Sequence, residues 1–224
     1  MKYIVVLGDG MADYPVAQLD NKTPLQYANT PTMDYMAKRG IQGLVKTVPK
    51  GMPAGSDTAN MAVFGYDPAV YYSGRSPFEA ASMRVPMLDT DVTFRCNLVT
   101  VSEDEPYEEK TMIDHSSDEI TTDEARELIK AVSEHLSTEV IKFYPGISYR
   151  HLMIWANGPY QWTLTPPHDI LGQKVKDYMP KGPGSEIIEE MTKKSNKFLS
   201  EHDINKNRVR SEERRVGKEC MESV

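Results

Sequence analysis

The run Tyr3-Ile4-Val5-Val6-Leu7-Gly8-Asp9-Gly10 decides the fold class. A short, unbroken apolar stretch that stops at Gly-Asp-Gly reads as a strand buried on both faces, as in a parallel sheet covered by helices. Its carboxylate, Asp9, then falls at the carboxyl end of the strand, where open α/β sheets bind ligands. Downstream, residues 29–40 form a helix sentence. Thr30 can cap it, Pro31 suits its first turn, Lys38 and Arg39 suit its negative end, and Gly40 can terminate it. Residues 41–48 alternate loosely and read as the next strand. A loop with two prolines and two glycines covers 49–55, and a helix is expected over 56–64.

A second region opens near Pro86. Residues 91–101 alternate β-branched and aromatic residues with polar ones and predict a strand. An acidic turn follows over 102–110. Residues 121–136 predict a helix: Thr121 or Thr122 caps it, and Ala125, Leu128, Ile129, Val132 and Leu136 make an apolar stripe. Strands are expected at 139–144 and 148–155, separated by a turn at Pro145-Gly146. Residues 162–181 are loop-rich, and 184–202 return to helix. This order indicates a small α+β domain. The expected division is 1–85 for the first domain, 86–205 for the second and 206–224 for a tail.

Composition narrows the function classes. Hydrophobic residues make up 39% and charged residues 26%, as in a soluble globular chain. A net charge of −7 argues against a nucleic-acid backbone binder. No apolar run approaches the roughly 20 residues of a membrane helix. Two cysteines, Cys96 and Cys220, are too few for a disulfide framework, so a reducing cytoplasm is the default compartment. Residues 210–220 resemble the in-frame translation of a sequencing adapter more than an ordinary charged tail, and the tail is set aside from functional reasoning.

The chemistry centres on Gly55-Ser56-Asp57-Thr58-Ala59-Asn60. A Gly-Ser step at a helix start presents a hydroxyl beside unsatisfied backbone N–H groups, which favour a phosphoryl oxygen. A serine hydroxyl is a poor nucleophile until a metal or a base lowers the cost of its proton. Asp9 is an oxygen donor of the kind a divalent ion takes. Both residues have plainer roles open to them, Asp9 as a turn residue beside Gly10 and Ser56 as an N-cap. Arg75 is a nearby cation that could equally form a surface ion pair. In the second region Arg95 and Arg150 suit bidentate oxyanion binding, or simply the polar face of a sheet. His115, after Asp114, and His168 can serve as ligand, base or polar loop residue.

Several segments together carry a family resemblance. They are Leu7-Gly8-Asp9-Gly10-Met11-Ala12-Asp13, Lys22-Thr23-Pro24-Leu25, Thr30-Pro31-Thr32-Met33-Asp34, Gly55-Ser56-Asp57-Thr58-Ala59-Asn60, Gly74-Arg75-Ser76-Pro77, Phe94-Arg95-Cys96-Asn97-Leu98-Val99-Thr100, Ser148-Tyr149-Arg150-His151 and Pro167-His168-Asp169. Over residues 1–209 the chain resembles the archaeal-type cofactor-independent phosphoglycerate mutases of the alkaline phosphatase superfamily. The resemblance implies an α/β fold: the N-terminal part of an alkaline-phosphatase-like parallel sheet, followed by an inserted smaller α+β domain. It implies interconversion of 3- and 2-phosphoglycerate through a phosphoserine. Two divalent ions, manganese or magnesium, would serve the full-length enzyme, without 2,3-bisphosphoglycerate.

By the same resemblance, Ser56 is the nucleophile, Asp9 and Ser56 ligate one ion, and Arg150, Asp114 and Arg95 bind a small phosphorylated substrate. The inserted domain would close over that substrate and exclude water. Neither nucleic acid nor membrane is implied as a partner. A homoserine-kinase-like phosphotransferase of the same superfamily is the alternative. Two departures stand out. Glu119 occupies a place where many members have histidine, and no Asp-x-x-x-His occurs in the chain. The family's remaining metal ligands lie late in chains about twice this long. The chain is therefore expected to be a fragment, inactive alone.

Overall fold

The computed structural model describes residues 2–52, 54–103 and 105–209. The chain divides into two compact units, Met1–Tyr71 and Tyr72–Val224. The adapter-like stretch and Cys220 lie outside the described residues.

The first unit is helical. Helix α1 (Pro24–Tyr27) starts with a complete capping box: the Gln26 amide donates to Thr23 Oγ1 at 3.1 Å, and the Thr23 amide donates to Gln26 Oε1 at 2.9 Å. Helix α2 (Pro31–Arg39) begins at the proline and ends on Lys38 and Arg39, as its sequence requires. Thr30 does not cap it through its side chain. Its hydroxyl instead donates to Asp34 Oδ1 at 3.2 Å. Helix α3 (Ser56–Val63) and helix α4 (Pro68–Tyr71) complete the unit.

The two expected strands of this unit do not form. Residues 3–8 and 41–48 belong to no strand among the described residues. Most of their apolar side chains stand in solvent, with Ile4 and Val6 each 87% exposed. An apolar run takes strand form only when neighbours satisfy its backbone groups and cover its faces.

The second unit has a core of its own. Strands β1 (Val92–Asn97), β4 (Ile141–Ile147) and β5 (Arg150–Trp155) make an antiparallel sheet in the order β1-β5-β4. Two shorter strands, β2 (Thr100–Val101) and β3 (Met112–Asp114), pair separately. The strand expected over 91–101 is thus split between two sheets, with Leu98 and Val99 at the break.

Helix α6 (Thr122–Leu136) packs on one face of the larger sheet. Thr121 and Glu124 close its capping box, and Ala125, Leu128, Ile129, Val132 and Leu136 are buried against Phe94, Phe143, Met153 and Trp155. Helix α5 (Ser76–Ser82) covers the other face, where Ala80 meets Leu152 and Ile154. The Ser76 hydroxyl donates to the Thr93 carbonyl at 2.8 Å, tying α5 to β1. Compaction of the second unit therefore begins at Tyr72, ahead of the Pro86 boundary expected from sequence. Helix α7 (Ser185–Ser200) adds Ile188, Met191, Phe198 and Leu199 to the α6 side of the core. Residues 203–209 are helical, including 206–209, which the sequence division assigns to the tail. No helix among the described residues is long and apolar enough to cross a membrane.

The β4–β5 connection differs from expectation. Pro145 and Gly146 lie inside β4, at a bulge between the Tyr144–Leu152 and Ile147–Arg150 pairs. The chain reverses at Ser148-Tyr149 instead. Ser148 takes a left-handed φ of 52° and is anchored by two bonds: its amide donates to Thr122 Oγ1 at 3.1 Å and its hydroxyl to the Ile120 carbonyl at 2.8 Å.

Within the bulge, the Gly146 amide donates to Nδ1 of His151 at 3.0 Å. His151 is 1% exposed, and burial pushes its pKa down from 6.5 to about 4. The unfolded chain binds this proton first, so stability is full above pH 6.5 and falls as pH drops toward 4. The expected loss is roughly 3 kcal/mol. Melting temperatures measured from pH 7 to 4.5 check it: His151→Gln should flatten the slope. The lowered carboxyls of Asp114 and Glu124 lose their stabilisation only below their unfolded values of 3.8 and 4.5. An unchanged slope in the variant would remove His151 as the cause.

Candidate functional site

Ser56 is the first residue of α3, exposed, with Gly55 at the cap position. No side chain caps this helix start. Two residues on, Thr58 is fully buried, and its Oγ1 has no hydrogen-bond partner. Asp9 is exposed at a turn beside Gly10, whose φ is 69°. Among the described residues no group of three or more His, Cys, Asp and Glu could hold a metal ion.

The second unit gathers the other candidates through sheet register. Asn97 stands opposite Arg150, and Arg95 opposite Leu152. Cross-strand partners share a face, so Arg95, Asn97 and Arg150 lie on the α5 face, with Arg95 and Arg150 as diagonal neighbours. Arg95 Nε makes an ion pair with Glu79 Oε1 on α5 at 3.4 Å. Asn97 Oδ1 is buried and lacks a hydrogen-bond partner. Arg150 is exposed, its guanidinium carbon 5.7 Å from the centre of the Tyr149 ring.

The Tyr149 ring joins this end of the sheet to the loop after β3. His115 meets Tyr149 edge-on at 5.7 Å between ring centres, and His168 at 6.1 Å. His115 Nδ1 is buried without a hydrogen-bond partner. His168 Nε2 lies 3.5 Å from Asp169 Oδ1. Just before His115, Asp114 Oδ1 accepts from the Ser116 amide at 2.7 Å, the Ser116 hydroxyl at 2.8 Å and the Asp118 amide at 3.0 Å. Burial alone would raise this carboxyl. The Ser116 hydroxyl, the two amides and neighbouring His115 outweigh it and hold the group below its ordinary value of 3.8.

Asp114 thus organises its loop and stays ionised. The arrangement offers two guanidinium groups for oxyanions, a carboxylate acceptor and two imidazoles. His115, next to Asp114 in the chain, meets the Tyr149 ring that the Arg150 guanidinium also approaches, while Arg95 is a diagonal neighbour of Arg150 through the register. Sequence reasoning gave no role to Asn97 or Tyr149. Both sit in the 94–100 and 148–151 motifs, and only strand pairing and ring packing bring them into this group.

Comparison with known proteins supplies the family. The model of the 2,3-bisphosphoglycerate-independent phosphoglycerate mutases matches residues 37–205. A curated mutase of that description from Methanosarcina barkeri is 51% identical over 210 residues, covering 93% of this chain and 51% of the relative. A probable mutase of the same description from Geobacter sulfurreducens is 52% identical over 202 residues, covering 90% and 50%. The chain therefore spans about half the length of these relatives.

Among solved structures, a Pyrococcus horikoshii protein aligns with a TM-score of 0.65 at 29% identity, over 91% of this chain and 45% of that one. A cofactor-independent phosphoglycerate mutase from Thermoplasma acidophilum aligns at 0.50 and 27% identity, over 90% and 54%. Both likenesses agree with the α/β class. With the family model matched over most of its length, the chain belongs to the 2,3-bisphosphoglycerate-independent phosphoglycerate mutases.

Proposed function

We propose that the full-length protein containing this chain interconverts 3- and 2-phosphoglycerate through a phosphoserine at Ser56. The observation that carries this reading is the 51% identity to a curated mutase across 93% of the chain. Ser56 Oγ attacks phosphorus, its bond to phosphorus forms, and the bond from phosphorus to the glycerate oxygen breaks. The serine proton leaves to solvent or a base, and the released alkoxide takes one up. Glycerate then turns and its other hydroxyl takes the phosphoryl group back, restoring the serine. The phosphoryl group never leaves the enzyme, so no bisphosphorylated cofactor is needed.

Arg150 and Arg95 bind the substrate's oxyanions, and ionised Asp114 accepts from a glycerate hydroxyl. Asp9 and Ser56 are hard oxygen donors of the kind manganese or magnesium takes. The described residues do not make a two-ion site by themselves. We propose that further ligands come from sequence beyond this chain, and that this chain alone is inactive.

The test is an assay of the complete open reading frame with 3-phosphoglycerate and no 2,3-bisphosphoglycerate. Formation of 2-phosphoglycerate supports the reading. ATP-dependent phosphorylation of homoserine without isomerisation overturns it. In the same assay Arg150→Ala is expected to raise KM about 10- to 100-fold, from the loss of hydrogen bonds to a charged group. An unchanged KM would remove Arg150 from the substrate site.

A further inference from the structure

The loop that carries Asp114 and His115 has an unusual backbone. Ser117, Asp118 and Glu119 all adopt left-handed φ values, 49°, 52° and 49°. Such a run of non-glycine residues is uncommon and persists only when the surroundings enforce it. Part of the enforcement is local, from Asp114 Oδ1 and from the Ser116 hydroxyl, which accepts from the Glu119 amide at 3.1 Å. The remainder comes from far along the chain. Arg208 Nη2 donates to the Ser117 carbonyl at 2.5 Å, and Nη1 donates to Glu124 Oε2 at 3.1 Å. Glu124 is also the capping-box partner of Thr121. One guanidinium therefore bridges the apex of the loop and the first turn of α6. Across the loop's other end, Ser148 bonds Ile120 and Thr122 and so joins it to the turn bearing Tyr149 and Arg150.

We infer that Arg208 is a positioning residue for substrate binding: its two-pronged bridge sets the 114–120 loop so that His115 lies against Tyr149, beside Arg150. This rests on the mutase reading for its consequence in turnover. The geometry itself is read without turnover. A planar fork that spans two acceptors cannot be replaced by an ammonium, so Arg208→Lys is as informative as Arg208→Ala.

The experiment has two parts. In this chain, the NMR cross-relaxation between the His115 and Tyr149 rings is measured for the unaltered protein, R208A, R208K and the control T121A. The expected result is loss of that signal in R208A and R208K and its retention in T121A, which keeps the Ser117 bond. In the full-length protein, KM for 3-phosphoglycerate is expected to rise about tenfold in R208K with kcat nearly unchanged. Retention of the ring signal in a folded R208K overturns the inference. So does its equal loss in T121A, which would mark Arg208 as merely one more contributor to folding. If R208A fails to fold, R208K decides alone. Failure of the mutase reading would show instead as absent isomerisation in the unaltered full-length protein, with the ring signal still governed by residue 208.

Discussion

Ser56→Ala in the full-length protein is expected to lower isomerisation at least about 10⁴-fold, the scale seen when a covalent nucleophile is removed. Substrate affinity should change little, because Arg150 and Arg95, the residues proposed to bind its oxyanions, are untouched. The reason is specific to this route. On the proposed route every phosphoryl transfer passes through the Ser56 oxygen, and alanine has no atom that can carry the group. The measurement is paired: steady-state rate with 3-phosphoglycerate, and acid-quenched labelling with substrate carrying radioactive phosphate. The unaltered enzyme should retain label on the peptide containing Ser56, and the variant none. A variant that keeps a tenth of the activity, or label found on another peptide, would sink the assignment. Placing Ser56 at the first position of α3, exposed and without a side-chain cap, is compatible with that role.

The second large effect is on stability. A Cβ added at Gly146 would lie 2.1 Å from the Arg150 carbonyl oxygen and 3.2 Å from its carbon. Both are backbone atoms of the paired strand, so no side chain can swing aside. Gly146→Ala should cost about 3 kcal/mol or more, the upper range for overpacking. For a chain of this size that lowers the melting temperature by about 6–12 °C. Gly43→Ala is the control, since nothing lies within 4 Å of its added Cβ. Equal melting temperatures for the two variants would mean that the bulge relaxes freely. The same substitution should disturb function beyond stability. The bulge sets the phase of the hairpin, so it decides which face Arg150 and His151 take.

That bulge shows where sequence reasoning fell short. Pro145-Gly146 has the composition of a turn, yet the pair sits within β4 because the reversal is made three residues later, at Ser148-Tyr149. What holds the reversal there is Ser148, bonded to Ile120 and Thr122. Those partners lie 26 and 28 residues away, beyond the reach of any local pattern. The N-terminal run failed in a different way. Its apolar pattern is that of a buried strand, but a pattern cannot supply a neighbouring strand, and neither 3–8 nor 41–48 belongs to a sheet among the described residues.

Much of the candidate site was present in the motifs: Asp114, Arg95 and Arg150 by resemblance, with His115 and His168 as polar loop candidates. Their relation to one another was not. Arg95 and Asn97 join Arg150 only through the β1–β5 register, and His115 and His168 meet only through loop packing.

The amino-acid sequence by itself determined α6, from the Thr121–Glu124 box at its start to its buried stripe, because capping and periodicity act within a few residues. It also determined family membership, which resides in the order of short motifs. Tertiary structure alone decided the hairpin's phase, the pairing of Arg95 with Glu79 and the bridge from Arg208 to Ser117. These contacts join residues far apart in the chain, and their energies depend on burial and register that no local window contains.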